Sequence, residues 1–215
     1  MQAFDKLKIE RGVIHDQNAL YKPAMKSVFT ALAIFLVTST HSFAQKTYTL
    51  DKNHARTGFS VGHFGISHVD GNFKIIDASL ESKKADFTDA AITFKADVNS
   101  INTDVAYRDS DLKSANYFDA ERFPSINFIS TSFKKLGGKN YRLDGNITIH
   151  GITKPVSFNV IYNGQAVTAM KKTTVGFTIT GTIKRLDFAV GGPVMTSGIS
   201  NEIELTSNVE FTVSE

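Results

Sequence analysis

Apolar and polar side chains alternate with period two through almost all of residues 45–215, which confines this part of the chain to β-strands with one dry and one wet face each. Ile92, Phe94, Ala96 and Val98 alternate with Thr93, Lys95, Asp97 and Asn99. The same rule groups Tyr141, Leu143, Ile147 and Ile149, then Val156, Phe158, Val160 and Tyr162, then Val175, Phe177, Ile179 and Ile183. The last run is the longest: Ile199, Ile203, Leu205, Val209, Phe211 and Val213 share a face opposite Glu202, Glu204, Thr206, Glu210 and Thr212. Turn formers stand between the runs at Asp70-Gly71-Asn72, Gly137-Gly138-Lys139-Asn140, Asn163-Gly164 and Gly191-Gly192-Pro193. Connections this short predict antiparallel neighbours.

Only residues 104–122 break the alternation. Asp104 is the expected cap of a short helix there, Leu112, Ala115 and Phe118 recur at near-helical spacing, and Phe123-Pro124 returns the chain to extended backbone. There is no internal repeat and no linker, so residues 45–215 are expected to form one domain. About eight antiparallel strands must protect their edges, and closure into a barrel removes them. A two-sheet sandwich carries the same pattern. An outer-membrane barrel would turn its apolar face outward, and the long polar faces rich in Glu, Lys, Asn and Thr argue for a soluble one.

The N-terminal part has a different character. Lys26, the apolar run Val28–Val37 and the small residues of Ser42-Phe43-Ala44 predict a secretory signal over 25–44, cleaved near Ala44. The run is too short for the roughly 20 residues that cross a bilayer. Residues 1–24 form a polar leader ahead of it, and Met25 is the alternative start. Leader and signal together hold Lys6, Lys8, Arg11, Lys22 and Lys26 against Asp5, Glu10 and Asp16. Most of the formal charge of +3 therefore belongs to them, and the single net positive charge left to the remaining domain gives no support to nucleic-acid binding. The expected location is periplasmic or secreted.

The chain has no cysteine, which excludes disulfides, thiolate metal sites, cysteine nucleophiles and a lipidated N-terminal cysteine. It has no tryptophan and 17 phenylalanines, a bias toward aromatic rings without polar tips. No nucleophile elbow, phosphate loop or dinucleotide fingerprint is present. Arg108-Asp109 and Arg185-x-Asp187 are acid–base pairs in form, but ion pairs of this kind are commonly structural. His54, His63, His68 and His150 lack the spacing of a helical zinc pair. No metal site and no catalytic residue are assigned. His63 shares the phase of Phe59 and Val61, so it faces either a hydrogen-bonding core partner or the polar end of a ligand.

Several linked motifs carry a resemblance. They are His54, Phe59-Ser60-Val61-Gly62-His63-Phe64-Gly65-Ile66-Ser67, Val69-x-Gly71-x-Phe73, Asn102-Thr103, Tyr107-Arg108-Asp109, Leu112-Lys113-Ser114, Tyr117-Phe118-Asp119 and Phe123-Pro124. They continue through Asp144–Val156 and Ile183-Lys184-Arg185-x-Asp187-Phe188. From about Thr47 to Phe211 the chain resembles the YceI-like polyisoprenoid-binding proteins, secreted or periplasmic bacterial proteins. It departs from their usual pattern at Asp111, where His is common, and at Lys184, where Asn is common.

The resemblance implies an all-β, eight-stranded antiparallel lipocalin-like barrel with one short helical segment around 104–122. It further implies a non-catalytic protein that binds and carries a long isoprenoid or related lipid, an isoprenoid quinone among the candidate ligands, without a resident cofactor. The expected apolar lining is Phe59, Val61, Phe73, Phe94, Phe128, Phe158, Phe177, Ile179, Phe188 and Ile203, with His63, Arg108, His150 and Arg185 at the polar end. Transient membrane contact and a homodimer are further expectations. Two alternatives remain open at this point: a stress-related structural module whose barrel is filled by its own side chains, and a metal-assisted enzyme using the histidines.

Overall fold

The computed structural model describes residues 44–192 and 198–213. The leader and the signal segment as far as residue 43 lie outside them. Eleven strands follow in order: β1 Lys46–Leu50, β2 Arg56–His63, β3 Ser67–Phe73, β4 Ile76–Ser82, β5 Ala91–Asp97, β6 Ile101–Asn102, β7 Ser125–Gly137, β8 Asn140–Ile149, β9 Ile152–Val167, β10 Thr173–Lys184 and β11 Ile199–Val213. A helix, α1, spans Ala106–Lys113. Every strand pairing is antiparallel, and β1 closes the sheet on β11 through Thr49↔Thr212 and Leu50↔Phe211. The result is the expected closed eight-strand barrel rather than a sandwich.

Eleven segments make eight staves because three staves are broken. β1 and β2 both pair with β11 and are separated by a 3₁₀ turn at Lys52–His54. β3 and β4 are one stave bent at Lys74-Ile75, and β5 and β6 are one stave interrupted by a 3₁₀ turn at Val98–Ser100. Two of the breaks share a local cause. Asp51 accepts a hydrogen bond from the Asn53 amide at 3.0 Å, and Asp97 accepts one from the Asn99 amide at 2.9 Å. Asp-x-Asn offers the backbone a turn in place of the ladder. The bend in the middle stave is tied to the third break, because Lys74 and Ile75 donate their amides to the Ser100 carbonyl and hydroxyl at 3.1 and 2.9 Å.

The lower end of the barrel is sealed by aromatic rings. Phe87, in the loop between β4 and β5, is 2% exposed and lies 5.6 Å from Tyr48, 5.6 Å from Tyr162 and 5.5 Å from Phe177, centroid to centroid. Tyr141 donates its hydroxyl to the Asp86 carbonyl at 2.9 Å and stacks on Phe133 at 4.8 Å. Burial raises the Tyr48 and Tyr162 pKa values above the ordinary phenol value. Asp89 holds the loop in place by accepting from the Ser82 hydroxyl at 2.6 Å and from the Lys83 and Lys84 amides.

At the upper end β6 stops at Asn102, and β7 pairs with β5 rather than β6. Residues 103–124 cover the wall there. The helix in this segment is shorter than the sequence suggests and is capped differently. It begins after Val105, which makes no side-chain cap bond, while Asp104 takes a left-handed φ of 60° and accepts from Asn102 Nδ2. After Lys113 the chain proceeds by successive turns, so Ala115 and Phe118 do not extend the helical face.

Two turn assignments also change. Gly71 is inside β3 as the registered partner of Phe59, and Gly164 is inside β9 opposite Gly176, next to a register shift. A glycine within a strand often marks close approach or a bulge instead of a turn.

Candidate functional site

The dry faces of the staves do not meet at the centre. They leave two adjoining chambers, a lower one of about 120 Å³ and an upper one of about 370 Å³. Thr57, Phe94, Ile147 and Leu205 line both and form the waist between them. The lower chamber is walled by β4, β5, β7–β11 and Thr57 of β2, with Phe128, Phe158, Phe177 and Ile179 among its residues. The upper one is walled by β2, β3, the ends of β5, β7, β8, β10 and β11, the turn that follows β10, and the 103–118 segment. It holds Phe59, Val61, Phe73, Phe188 and Ile203. All ten apolar positions singled out in the sequence therefore line one chamber or the other, Phe94 lining both. The larger volume lies beside two of the three stave breaks, next to Phe73 and Ala96, where the wall is completed by a helical segment instead of a ladder.

Glycines bring rings against backbone at several points of this wall. A Cβ at Gly145 would stand 2.5 Å from the Ile129 carbonyl oxygen and collide with the Phe128 ring. A Cβ at Gly181 would overlap the Phe158 ring. These rings lie over glycine in the opposite strand, the arrangement that lets large aromatics line a small barrel.

Charged side chains line only the upper chamber among the described residues, the lower one having just the paired hydroxyls of Thr57 and Ser207. Of the four polar candidates, His63, Arg108 and Arg185 line it. His150 does not: it occupies the β8–β9 turn with φ 51°, its Nδ1 lies 3.1 Å from the Phe188 carbonyl oxygen, and its ring packs edge-on against Phe123 at 4.8 Å. That placement makes His150 a turn residue, which its motif neighbours in the sequence do not indicate.

Arg185 is 5% exposed and has no carboxylate within 4 Å among the described residues. Its Nε donates to the Ser200 carbonyl at 3.0 Å, and its Nη1 donates to the Val190 and Gly191 carbonyls at 2.8 and 2.6 Å. Burial pulls its pKa below the ordinary arginine value, with Tyr117 acting in the opposite direction. Arg108 donates to the hydroxyl and carbonyl of Thr103 at 2.8 and 2.9 Å, and Thr103 in turn donates its amide and hydroxyl to Asp109. Neither Arg108–Asp109 nor Arg185–Asp187 is an ion pair, so the acid–base pairs suggested by spacing are absent from the described residues. Two guanidinium groups and the Asp111 carboxylate share the wall. The pKa of Tyr117 is raised by burial and by Asp111.

The four candidate histidines do not converge among the described residues. Among the described residues the one group with metal-ligand spacing is Asp51, His54 and Glu210, at the β1–β2 break and away from the chambers. Only one of the four candidate histidines belongs to it. Alternation does not point to Tyr107, Leu112, Tyr117 and Phe118, which reach the upper chamber from the segment that breaks it. Three of the four are aromatic, and their signal is aromatic content in a non-strand segment.

Comparison with known proteins gives a consistent picture. The sequence profile of the YceI-like domain matches residues 48–211. A UPF0312 protein of Pseudomonas putida is 32% identical over 177 residues, covering 80% of this chain and 92% of the relative. The Campylobacter jejuni YceI protein superposes with a TM-score of 0.61 at 28% identity, covering 78% of this chain and 98% of that one. A domain from Saccharophagus degradans, described as a polyisoprenoid binding domain implicated in plant cell wall breakdown, shares the fold with a TM-score of 0.59 at 14% identity, over 78% and 98% of the two chains. The match along nearly the whole barrel, from β1 to β11, places this chain in the YceI-like family.

Proposed function

We propose that the protein binds a long isoprenoid or related lipid, apolar tail down through both chambers and polar end in the upper one, and carries it between membranes after export to the periplasm. The observation that carries this reading is the pair of adjoining chambers with an almost wholly apolar lining, blocked below by the Phe87 cluster. The upper chamber alone falls within the range of about 300–1,000 Å³ typical of small-molecule pockets. The polyisoprenoid-binding description of the Saccharophagus degradans domain, which has the same fold, supports the ligand class.

Arg185 and Arg108 add a reason for a polar end. A buried guanidinium without an anion favours electron-rich oxygens in the space beside it, and arginine pairs well with phosphate or carbonyl oxygen. Asp111 on the same wall selects against a strongly anionic group close to its own side.

Transfer of an apolar chain from water gains about 0.8 kcal/mol per CH₂, and a bilayer offers nearly the same. Net preference over the membrane is then a small difference set by fit, which suits loading and unloading. The role is binding rather than catalysis. A filled structural module would need rings through the whole interior, whereas the aromatic plug occupies the lower end. A metal-assisted enzyme using the histidines gains no support, because among the described residues only His54 has carboxylates at metal-ligand spacing, at the β1–β2 break and outside the chamber linings.

Uptake of isoprenoid quinones of increasing chain length tests the reading, followed by quenching of tyrosine emission, since the chain has no tryptophan. Saturable one-to-one uptake that strengthens with chain length is expected. Uptake of none of the series overturns the reading.

A further inference from the structure

We propose that Phe64, Ile66, Val105 and Tyr107 form a rim that inserts into the surface of a lipid bilayer, so that the ligand passes between membrane and upper chamber without crossing water. This rests on the reading of the chambers as a lipid site and adds to it the surface through which they exchange.

The four side chains are 64, 87, 44 and 84% exposed. They come from two elements, the β2–β3 turn and the start of α1, and each element also supplies chamber wall. His63 lines the upper chamber and its ring lies 4.4 Å from that of Phe64, edge-on. Tyr107 itself both lines the chamber and faces solvent, which puts the opening beside it. Apolar surface thus continues from the cavity wall out onto the rim. Exposed apolar patches of this kind mark sites of interaction, and aromatic side chains favour the membrane interface.

Phe64 is the most informative of the four. The turn is closed by the Ile66 amide donating to the His63 carbonyl at 3.1 Å, with Phe64 and Gly65 both left-handed at φ 53° and 70°. Asn, Asp and Gly favour the first of these positions, and a bulky aromatic there is strained. The fold offsets only part of that strain: the Phe64 amide donates to the Gly198 carbonyl at 2.8 Å and one side of the ring covers Gly198, but 64% of the residue stays in solvent. Insertion into a lipid surface gives the ring an apolar environment that the fold withholds.

The opposite end also shows apolar residues, Leu136, Val167 and Met170, but it has no portal behind it, because the Phe87 cluster fills the barrel there. Charges beside the rim are mixed, with Asp104, Asp109 and Asp111 against Arg108 and Lys113. Docking should therefore rest on apolar insertion and proceed on zwitterionic lipid, with little sensitivity to salt.

The test uses protein purified from the cells that make it and vesicles of phosphatidylcholine carrying isoprenoid quinone. Wild type is expected to float with the vesicles and to load from them. F64E/I66E and, separately, Val105→Glu should each weaken flotation and slow loading, by about tenfold for each apolar side chain replaced. L136E/M170E, at the sealed end, should behave as wild type. Quinone dispersed in buffer without vesicles should enter F64E/I66E as fast as wild type, because neither residue lines a chamber. Three results overturn the proposal: wild type fails to float, F64E/I66E loads from vesicles at the wild-type rate, or F64E/I66E instead splits a dimer into monomers, which would assign the rim to a second copy. Uptake from neither vesicles nor buffer would instead remove the lipid-site reading on which the proposal stands.

Discussion

The Phe59 ring lies directly over Gly71, its registered partner across β2 and β3, in the space where any Cβ would have to stand. Phe59 also contacts Phe73 at 6.0 Å, and Phe73 contacts Phe118 at 6.2 Å, so this ring begins a row leading to the segment that closes the upper chamber. Gly71→Ala must displace the ring into the chamber. The expected cost is about 1–3 kcal/mol of overpacking, seen as a lower thermal midpoint, together with weaker quinone uptake. Unchanged stability and uptake would show that the ring has somewhere else to go.

On the proposed lipid-binding reading, the waist sets ligand length. Leu205 lines both chambers and is registered opposite Phe59, so Leu205→Trp should close the passage while leaving the upper chamber open. Short isoprenoids should still bind, and the gain in affinity with chain length should level off early. A length profile identical to wild type would contradict a tail that passes the waist.

The lower plug is a stability element. Phe87 is 2% exposed and touches three other rings, so Phe87→Ala should cost about 3–5 kcal/mol, or roughly 10 °C in the thermal midpoint of a domain this size. Calorimetry checks it. A shift of only a degree or two would mean that the loop between β4 and β5 does not close the barrel.

The β1–β2 break is pH-sensitive. The hydrogen bond that His54 Nδ1 donates to Asp51, then the charges of Asp51 and Glu210, raise His54 above its ordinary 6.5, and the same bond lowers Asp51 below its ordinary 3.8. The contribution from His54 is full below pH 6.5 and disappears as pH rises through its raised folded value. That from Asp51 is full above pH 3.8 and disappears as pH falls through its lowered one. An NMR titration should place His54 above 6.5, and Asp51→Asn should lower it. A value that ignores the substitution would remove the pair.

Strand identity and facing are legible because period two is a direct image of the pleat, and Phe94, Phe128 and Phe177 stand where alternation puts them. The stave breaks are written in Asp51-Lys52-Asn53 and Asp97-Val98-Asn99, but alternation runs across such turns and conceals them. Gly71 and Gly164 read as turns because a glycine that admits a ring or a bulge has the same composition signal as one that admits a reversal. The place of Arg185 on the upper chamber is legible from its motif, but the way its guanidinium is held is not. Its partners are carbonyls of residues 190, 191, 199 and 200, and backbone acceptors leave no mark in the residue types around it. The helix cap also moves off Asp104, whose side chain is engaged by Asn102 instead.

The central claim is that the two chambers hold a lipid chain, and native mass spectrometry of protein purified from its own cells, before and after organic extraction, tests it most directly. The account predicts one apolar adduct per protein molecule that is released into the organic phase, carries an isoprenoid chain and returns on incubation with isoprenoid quinone. Protein that arrives without lipid, and stays at the mass of the bare chain when quinone is added, would contradict it.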